Sequence, residues 1–369
     1  MAEGKGSRRC LSELRKQRHM VRAIVPRHYP WLDFARSTFS LGVTLGGGAA
    51  ILSGHTASEY DPELHRIVVR GSLEEQTRTT FKKVQAVLEE AGLTLADVVQ
   101  VVEYVCAGPT ERYFEMESLC AEILVASRPI VNTVVVSSLV RSDALIEIEV
   151  VANGRASPNP ISQLVFLPSL RAPMAGDFHS QAAAVVERAD KLLRDLGLSL
   201  NNITRCLQLC VVDAIANEPS RQFVPELMPE TAASTLLYVK RLPDPTALFQ
   251  ADLIASRHPL GTSDGHASTT SGLTFFSQMA PGSGPNVSDQ ATRIYSDLLR
   301  AISSRGNANR KVIKTVEYIT PVAVDGYRSV SDIRRQLLPM PFPVATGVVV
   351  EALSDPAAQI CVEAWATGQ

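Results

Sequence analysis

The sequence predicts an α+β fold made of three fused copies of one unit, and two observations carry that prediction. Three windows of equal length, 76–105, 181–210 and 290–319, align without a gap. Each opens on glutamine (Gln76, Gln181, Gln290) and has glycine sixteen residues on (Gly92, Gly197, Gly306). Around that glycine every window changes from apolar residues spaced by three and four to a run of β-branched residues, so a helix followed by a strand recurs three times. At 369 residues the chain has room for three domains of ordinary size.

A short apolar strand precedes each helix, at 49–54, 164–168 and 273–278, beside glycine-rich or polar turns. The helices show as Phe81, Val84, Leu88 and Ala91, as Val186, Ala189, Leu193 and Leu196, and as Tyr295, Leu298 and Ile302. The glycine that follows suits a left-handed C-cap. Buried strands are expected at 98–105, 203–212 and 312–320, and each copy ends on another, at 145–152, 248–255 and 359–366. Each unit is then a mixed sheet with two helices on one face. Three units packed around a pseudo-threefold axis would cover one another's bare sheet faces. The boundaries that follow are an N-terminal extension over 1–35, frayed and solvated, and units over 36–155, 158–258 and 266–367.

Hydrophobic residues make up 45% and charged residues 20%, enough to bury a sizeable core. A formal net charge of −2 provides no overall field for nucleic acid or an anionic membrane, so a small-molecule substrate is the expected partner. The six cysteines form no CxxC pair, and neither a disulfide framework nor a metal site is signalled. The basic first 30 residues contain no apolar run for a signal peptide or a membrane span, and a cytoplasmic location is expected.

The first copy carries Phe39-Ser40-Leu41-Gly42-Val43, then Ile51-Leu52-Ser53-Gly54-His55, and closes on Leu145-Ile146-Glu147-Ile148-Glu149-Val150. These segments resemble the Tyr-Ser-x-x-Val opening, the Ser-Gly-Gln strand end and the Ile-Glu-Ile-Glu-Ala finish of the Rid (reactive intermediate deaminase, YjgF-like) family. Such proteins are typically homotrimers of a chorismate-mutase-like unit with a ligand cleft at each subunit interface. The resemblance therefore implies a whole trimer in one polypeptide, an intrachain pseudo-trimer that is otherwise a monomer or a weak oligomer. It also implies cofactor-free hydrolysis of reactive enamines or imines with release of ammonia. In that chemistry an Arg forks onto the substrate carboxylate and a Glu handles the attacking water.

The departures from this pattern bear on function. Val131, Ser234 and Ala345 stand where the family has its Arg. The water-handling Glu corresponds to Glu147, to Gln250 with one inserted residue, and to Cys361. Only one cleft keeps the carboxylate, so Glu147 is the candidate catalytic residue. Candidate substrate-binding residues are Phe39 at the opening Tyr position, Ser53 and His55 at the Ser-Gly-Gln position, and Glu117 near the family's helix-borne Asn. Arg141 could replace the missing clamp. His55 is expected to exchange a proton near neutral pH. In isolation, however, alternating Glu147 and Glu149 mean only a strand with one wet face, Glu117 and Arg141 read as solvated charges, and Cys361 reads as a buried inert thiol.

The leading function is a cofactor-independent hydrolase or deaminase acting on a small C–N substrate. The alternatives are non-deaminase chemistry on the same fold, as in chorismatases, and a non-catalytic ligand-binding disc.

Overall fold

The computed structural model describes residues 21–27, 37–108, 113–154, 158–214, 232–258, 267–270, 272–304 and 310–367, with side chains 113–116 left aside. Three six-stranded sheets dominate it.

The first sheet has the order β1-β2-β3-β9-β6-β7: β1 (Arg22–Ile24), β2 (Gly42–Gly46), β3 (Ala49–His55), β6 (Val98–Cys106), β7 (Ile130–Val136) and β9 (Ile146–Asn153). A separate hairpin, β4 (Glu59–Asp61) with β5 (Arg66–Val68), follows β3, and β8 (Ser138–Leu139) follows β7. Helices α1 (Leu73–Glu90) and α2 (Tyr113–Ile123) precede β6 and β7. The second sheet contains β10 (Leu164–Phe166), β11 (Leu170–Arg171), β12 (Ile203–Val211), β13 (Ala233–Val239) and β14 (Phe249–Ser256), with α3 (Phe178–Asp195) before β12. The third contains β15 (Ala267–Thr270), β16 (Leu273–Met279), β17 (Lys311–Ile319), β18 (Val344–Val349) and β20 (Ile360–Thr367), with α4 (Val287–Ser304) and α5 (Tyr327–Leu337). β19 (Ala352–Leu353) lies between β18 and β20 in the chain and pairs with β13.

The expected strands and helices form within a few residues of their predicted bounds, with two differences. Residues 22–24 belong to the first sheet instead of a frayed extension, because Ile24 buries its side chain against Gly42 and Val87. In α3 the core stripe runs through Ala182, Val185, Ala189 and Leu193, whereas Leu196 is the exposed C-cap residue. Gly306, the linker residues 155–157 and the stretch 215–231, where a second helix of the middle copy would fall, lie outside the described residues.

The recurring glutamine has a structural cause. Gln76 is buried at the start of α1, donates from Nε2 to the Gly71 carbonyl at 3.1 Å, and accepts at Oε1 from the Leu145 amide at 2.8 Å. Gln181 joins the Gly176 carbonyl to the Leu248 amide, and Gln290 joins the Gly284 carbonyl to the Gln359 amide. Each therefore clamps a helix start to the beginning of the last strand, satisfying buried backbone groups with one side chain. Gly92 and Gly197 both take the left-handed conformation at φ 73°, where a Cβ would be strained. Ser72 and Glu75 close a reciprocal capping box on α1.

In every sheet the middle strand pairs parallel to one neighbour and antiparallel to the last strand, with a register shift at Val98/Gln100, Ile203/Arg205 and Val312/Lys314. One face of the first and third sheets packs under two helices each, and the second packs under α3. Their other faces meet in two shared cores, one around Tyr104, Leu209 and Tyr318 and one around Ile51, Ile254 and Phe275. Strand exchange reinforces the contact: β8 pairs with β18 of the third sheet and β19 with β13 of the second.

Buried polar ladders cross these contacts. Lys314 in β17 donates to Glu149 in β9 at 2.9 Å, and Thr346 donates to the same carboxylate. Arg205 in β12 grips Glu363 in β20 at 2.6 Å, with Thr235 donating at 2.7 Å. Where the first sheet meets the second, the cation is replaced by Gln100, which donates to Asn132, which donates to the Leu167 carbonyl, while Asp252, at the register position of Glu149 and Glu363, accepts from Gln250 at 3.1 Å.

Candidate active site between the first and third sheets

Glu147 lies on β9 directly opposite Tyr104, just as Gln250 faces Leu209 and Cys361 faces Tyr318. The three stand at one register position, yet their surroundings differ. Gln250 is fully engaged, donating to the Thr133 carbonyl at 2.9 Å and accepting from Arg171 at 3.3 Å. Cys361 is a buried thiol pushed up to about 12 by burial and therefore unreactive at neutral pH. Glu147 alone opens onto a large cleft.

That cleft, about 980 Å³, is bounded by β3, the β4–β5 hairpin and Arg141 on one side and by Tyr327, Ser331 and Arg334 of α5 with Ala345 to Gly347 of β18 on the other. The first and last thirds of the chain thus build it together. The seam is held by Gly54, whose amide donates to Thr346 Oγ1 at 2.9 Å, and by Ser40, which bonds the Pro343 and Phe342 carbonyls at 2.9 and 2.6 Å. At Gly54 a Cβ would overlap the Glu147 carboxylate, so glycine leaves that side chain free to stand where it does.

The Glu147 carboxylate makes no hydrogen bond or ion pair among the described residues. Burial, with help from neighbouring Glu149 and against the pull of Lys83, raises it from 4.5 to about 8. It is therefore a neutral acid at neutral pH. Lys83 on α1 is itself lowered to about 8, chiefly by burial, and its three protons are spent on the Thr56 carbonyl (2.7 Å), the Ser58 carbonyl (2.7 Å) and Ser58 Oγ (2.9 Å).

Of the predicted site residues, Phe39, His55, Arg141 and Glu147 line this one cleft. Ser53 is fully buried behind it, donating to the Leu41 carbonyl at 3.1 Å. His55 Nε2 bonds the same carbonyl at 3.2 Å, and burial, followed by nearby Lys83, lowers it to about 3. The expectation that His55 exchanges protons near neutral pH is therefore corrected: the ring stays neutral and positions the β3 end. Glu117 does not join the group. It lines a second cleft of about 600 Å³ with Glu103, Cys120 and Ser169, because β7, at the edge of the first sheet, lies against Ser169 and Arg171 of the second, while the end of β3 lies against β18 and α5 of the third.

The sequence reading missed Arg334 and Tyr327. Arg334 is buried, paired with Glu317, and donates from Nε to the Thr38 carbonyl at 3.1 Å; Tyr327 donates to the same Glu317. On an amphipathic helix an arginine reads as solvated. Its only hint lay across the chain, where the third copy lacks the family Arg at Ala345.

Residues 34–153 match the family described as Endoribonuclease L-PSP. A RutC family protein of Pyrococcus abyssi is 38% identical over 92 residues, 25% of this chain and 69% of that protein. Another from Pyrococcus horikoshii is 37% identical over 92 residues, 25% of this chain and 70% of that protein. Among solved structures, a YjgF-family protein from Mycobacterium tuberculosis aligns at 26% identity over 36% of this chain and 99% of its own, with a TM-score of 0.29. By sequence, then, the chain belongs to the Rid/YjgF (L-PSP) family.

Proposed function

We propose that the chain is three fused Rid-type units, over 36–155, 158–258 and 266–367, arranged as a pseudo-trimer, and that its first–third cleft hydrolyses a reactive enamine or imine without a cofactor. Matching ladder registers and the exchange of β8 and β19 between sheets support the pseudo-trimer. The observation that carries the chemistry is Glu147: an unpartnered carboxyl at the cleft wall, protonated at neutral pH.

An enamine bound against it takes the Glu147 proton on its β-carbon and becomes an iminium. The carboxylate so formed accepts a proton from a water as the water oxygen bonds to the iminium carbon, which gives a carbinolamine and restores the acid. The hydroxyl proton then passes to the amino group, the C–N bond breaks, and ammonia leaves with a carbonyl product. One water is consumed per ammonia released. Burial makes the carboxylate a stronger base once formed, matching acid and base strength to the two halves of the reaction. At the second cleft the register position of Glu147 is taken by Gln250, tied to Thr133 and Arg171, and the buried carboxyl of the lining, Glu103, already accepts from Cys120 and Thr133, so we read it as a non-catalytic pocket.

The pH dependence of kcat/KM for ammonia release from a freshly generated enamine tests this. The free enzyme must hold the proton, so kcat/KM is flat through neutrality and falls about tenfold per pH unit once Glu147 ionises, near 8. A profile that rises through the same range, or no ammonia above the uncatalysed rate, contradicts the proposal.

A further inference from the structure

The cleft also carries information about the kind of molecule it takes, an inference that rests on the hydrolytic reading of Glu147. Its volume of about 980 Å³ lies at the upper end of the range for drug-sized ligands, far more than a small 2-imino acid fills. Part of its lining is apolar and open in the free protein: Val140 is 41% exposed, Leu64 49% and Ile67 39%, all facing the same cleft. Half-exposed aliphatic side chains gathered around one concavity gain most when a ligand covers them.

The cations are distributed in an unusual way for a family that grips a carboxylate beside the reacting carbon. Ala345 leaves that position neutral. Lys83 has three acceptors for three protons, and Arg334 is committed to Glu317 and the Thr38 carbonyl. Arg70 is paired with Asp61, and Arg141, 38% exposed and only loosely paired with Asp143 at 3.8 Å, is left with capacity to bind. Arg66, on the exposed hairpin strand, lines the same cleft.

We propose that the cleft takes a bulky, partly apolar enamine or imine whose anionic group lies several bonds from the reacting carbon, and that Arg141 is the specificity residue that holds that group. An isolated carboxylate on a long apolar substrate then meets a guanidinium that can fork onto it, while the C–N carbon reaches Glu147.

Isothermal titration of the full chain with stable ketone analogues of the product tests this independently of turnover. Benzoylbutyrate, a phenyl ketone with a remote carboxylate, is expected to bind at least about tenfold more tightly than pyruvate and than neutral butyrophenone. Arg141→Ala is expected to remove about tenfold of the benzoylbutyrate affinity and leave butyrophenone unchanged, with Arg141→Lys between the two. Pyruvate binding as tightly as benzoylbutyrate, or Arg141→Ala without effect, overturns the proposal. Benzoylbutyrate binding as expected with no ammonia released from any enamine overturns only the hydrolytic reading.

Discussion

Glu147→Gln is expected to lose about 10²- to 10⁴-fold in ammonia release and, at the same time, to make the protein more stable at alkaline pH. The loss follows because an amide of nearly the same shape can neither give nor take the proton. The gain follows from linkage. The folded chain holds the Glu147 proton more tightly than the unfolded chain, with the value raised from 4.5 to about 8. The stability contributed by the neutral acid is thus full below about 4.5 and is lost as pH rises through about 8. Glutamine does not titrate, so the variant and parent should coincide near about pH 5 and separate by a few kcal/mol near about pH 9. Denaturant unfolding at the two pH values measures it. A variant no more stable than the parent at the alkaline value would mean that Glu147 is not held neutral.

A second large effect is expected at the contact between the second and third sheets. Arg205→Met leaves the Glu363 carboxylate buried without its countercharge and should cost about 3–5 kcal/mol of stability. The pair is desolvated on both sides, 10% and 3% exposed, and Glu363 depends on Arg205 for its charge while Thr235 and Tyr318 supply only hydroxyl donors. Replacing both members, Arg205→Met with Glu363→Met, should recover much of that loss, because two apolar side chains of similar volume need no mutual compensation. Urea titration of the single and double variants gives the coupling directly. A single variant as stable as the parent would show that the pair does not hold the seam.

Much of the fold was legible in the chain because it is recorded locally. The glutamine of each window performs one task, bridging a helix start to a strand start about 70 residues away, and the apolar spacing around it is a property of one helix. The alignment of Glu147 with Gln250 and Cys361 was legible for the same reason. What escaped the sequence reading lies between the thirds of the chain. Thr346 meets Gly54 and Glu149 across about two hundred residues or more, and no periodicity announces that pairing. Lys314 and Arg205 sit inside β-branched runs, where a charged residue normally marks a wet face; here it marks a partner on another sheet. Glu117 was grouped with Glu147 because the two are near in sequence, whereas β7 and the end of β3 in one sheet face different neighbours. His55 looked like a proton carrier because residue type says nothing about desolvation, which here outweighs everything else acting on the ring.

The family resemblance also takes on a sharper form. The carboxylate survives in one of three register positions, and the cleft it opens onto needs both the first and the last third of the chain. At the other two register positions Gln250 is absorbed into hydrogen bonding and Cys361 into the core.

This cleft is expected to keep a carboxylic acid protonated at neutral pH, ready for proton transfer. Carbon-13 NMR of protein labelled at the glutamate side-chain carboxyl, with Glu147→Gln to assign the resonance, follows that group directly through a pH titration. The resonance is expected to move near pH 8, well above the ordinary 4.5 of a glutamate. A midpoint at the ordinary value would contradict the account.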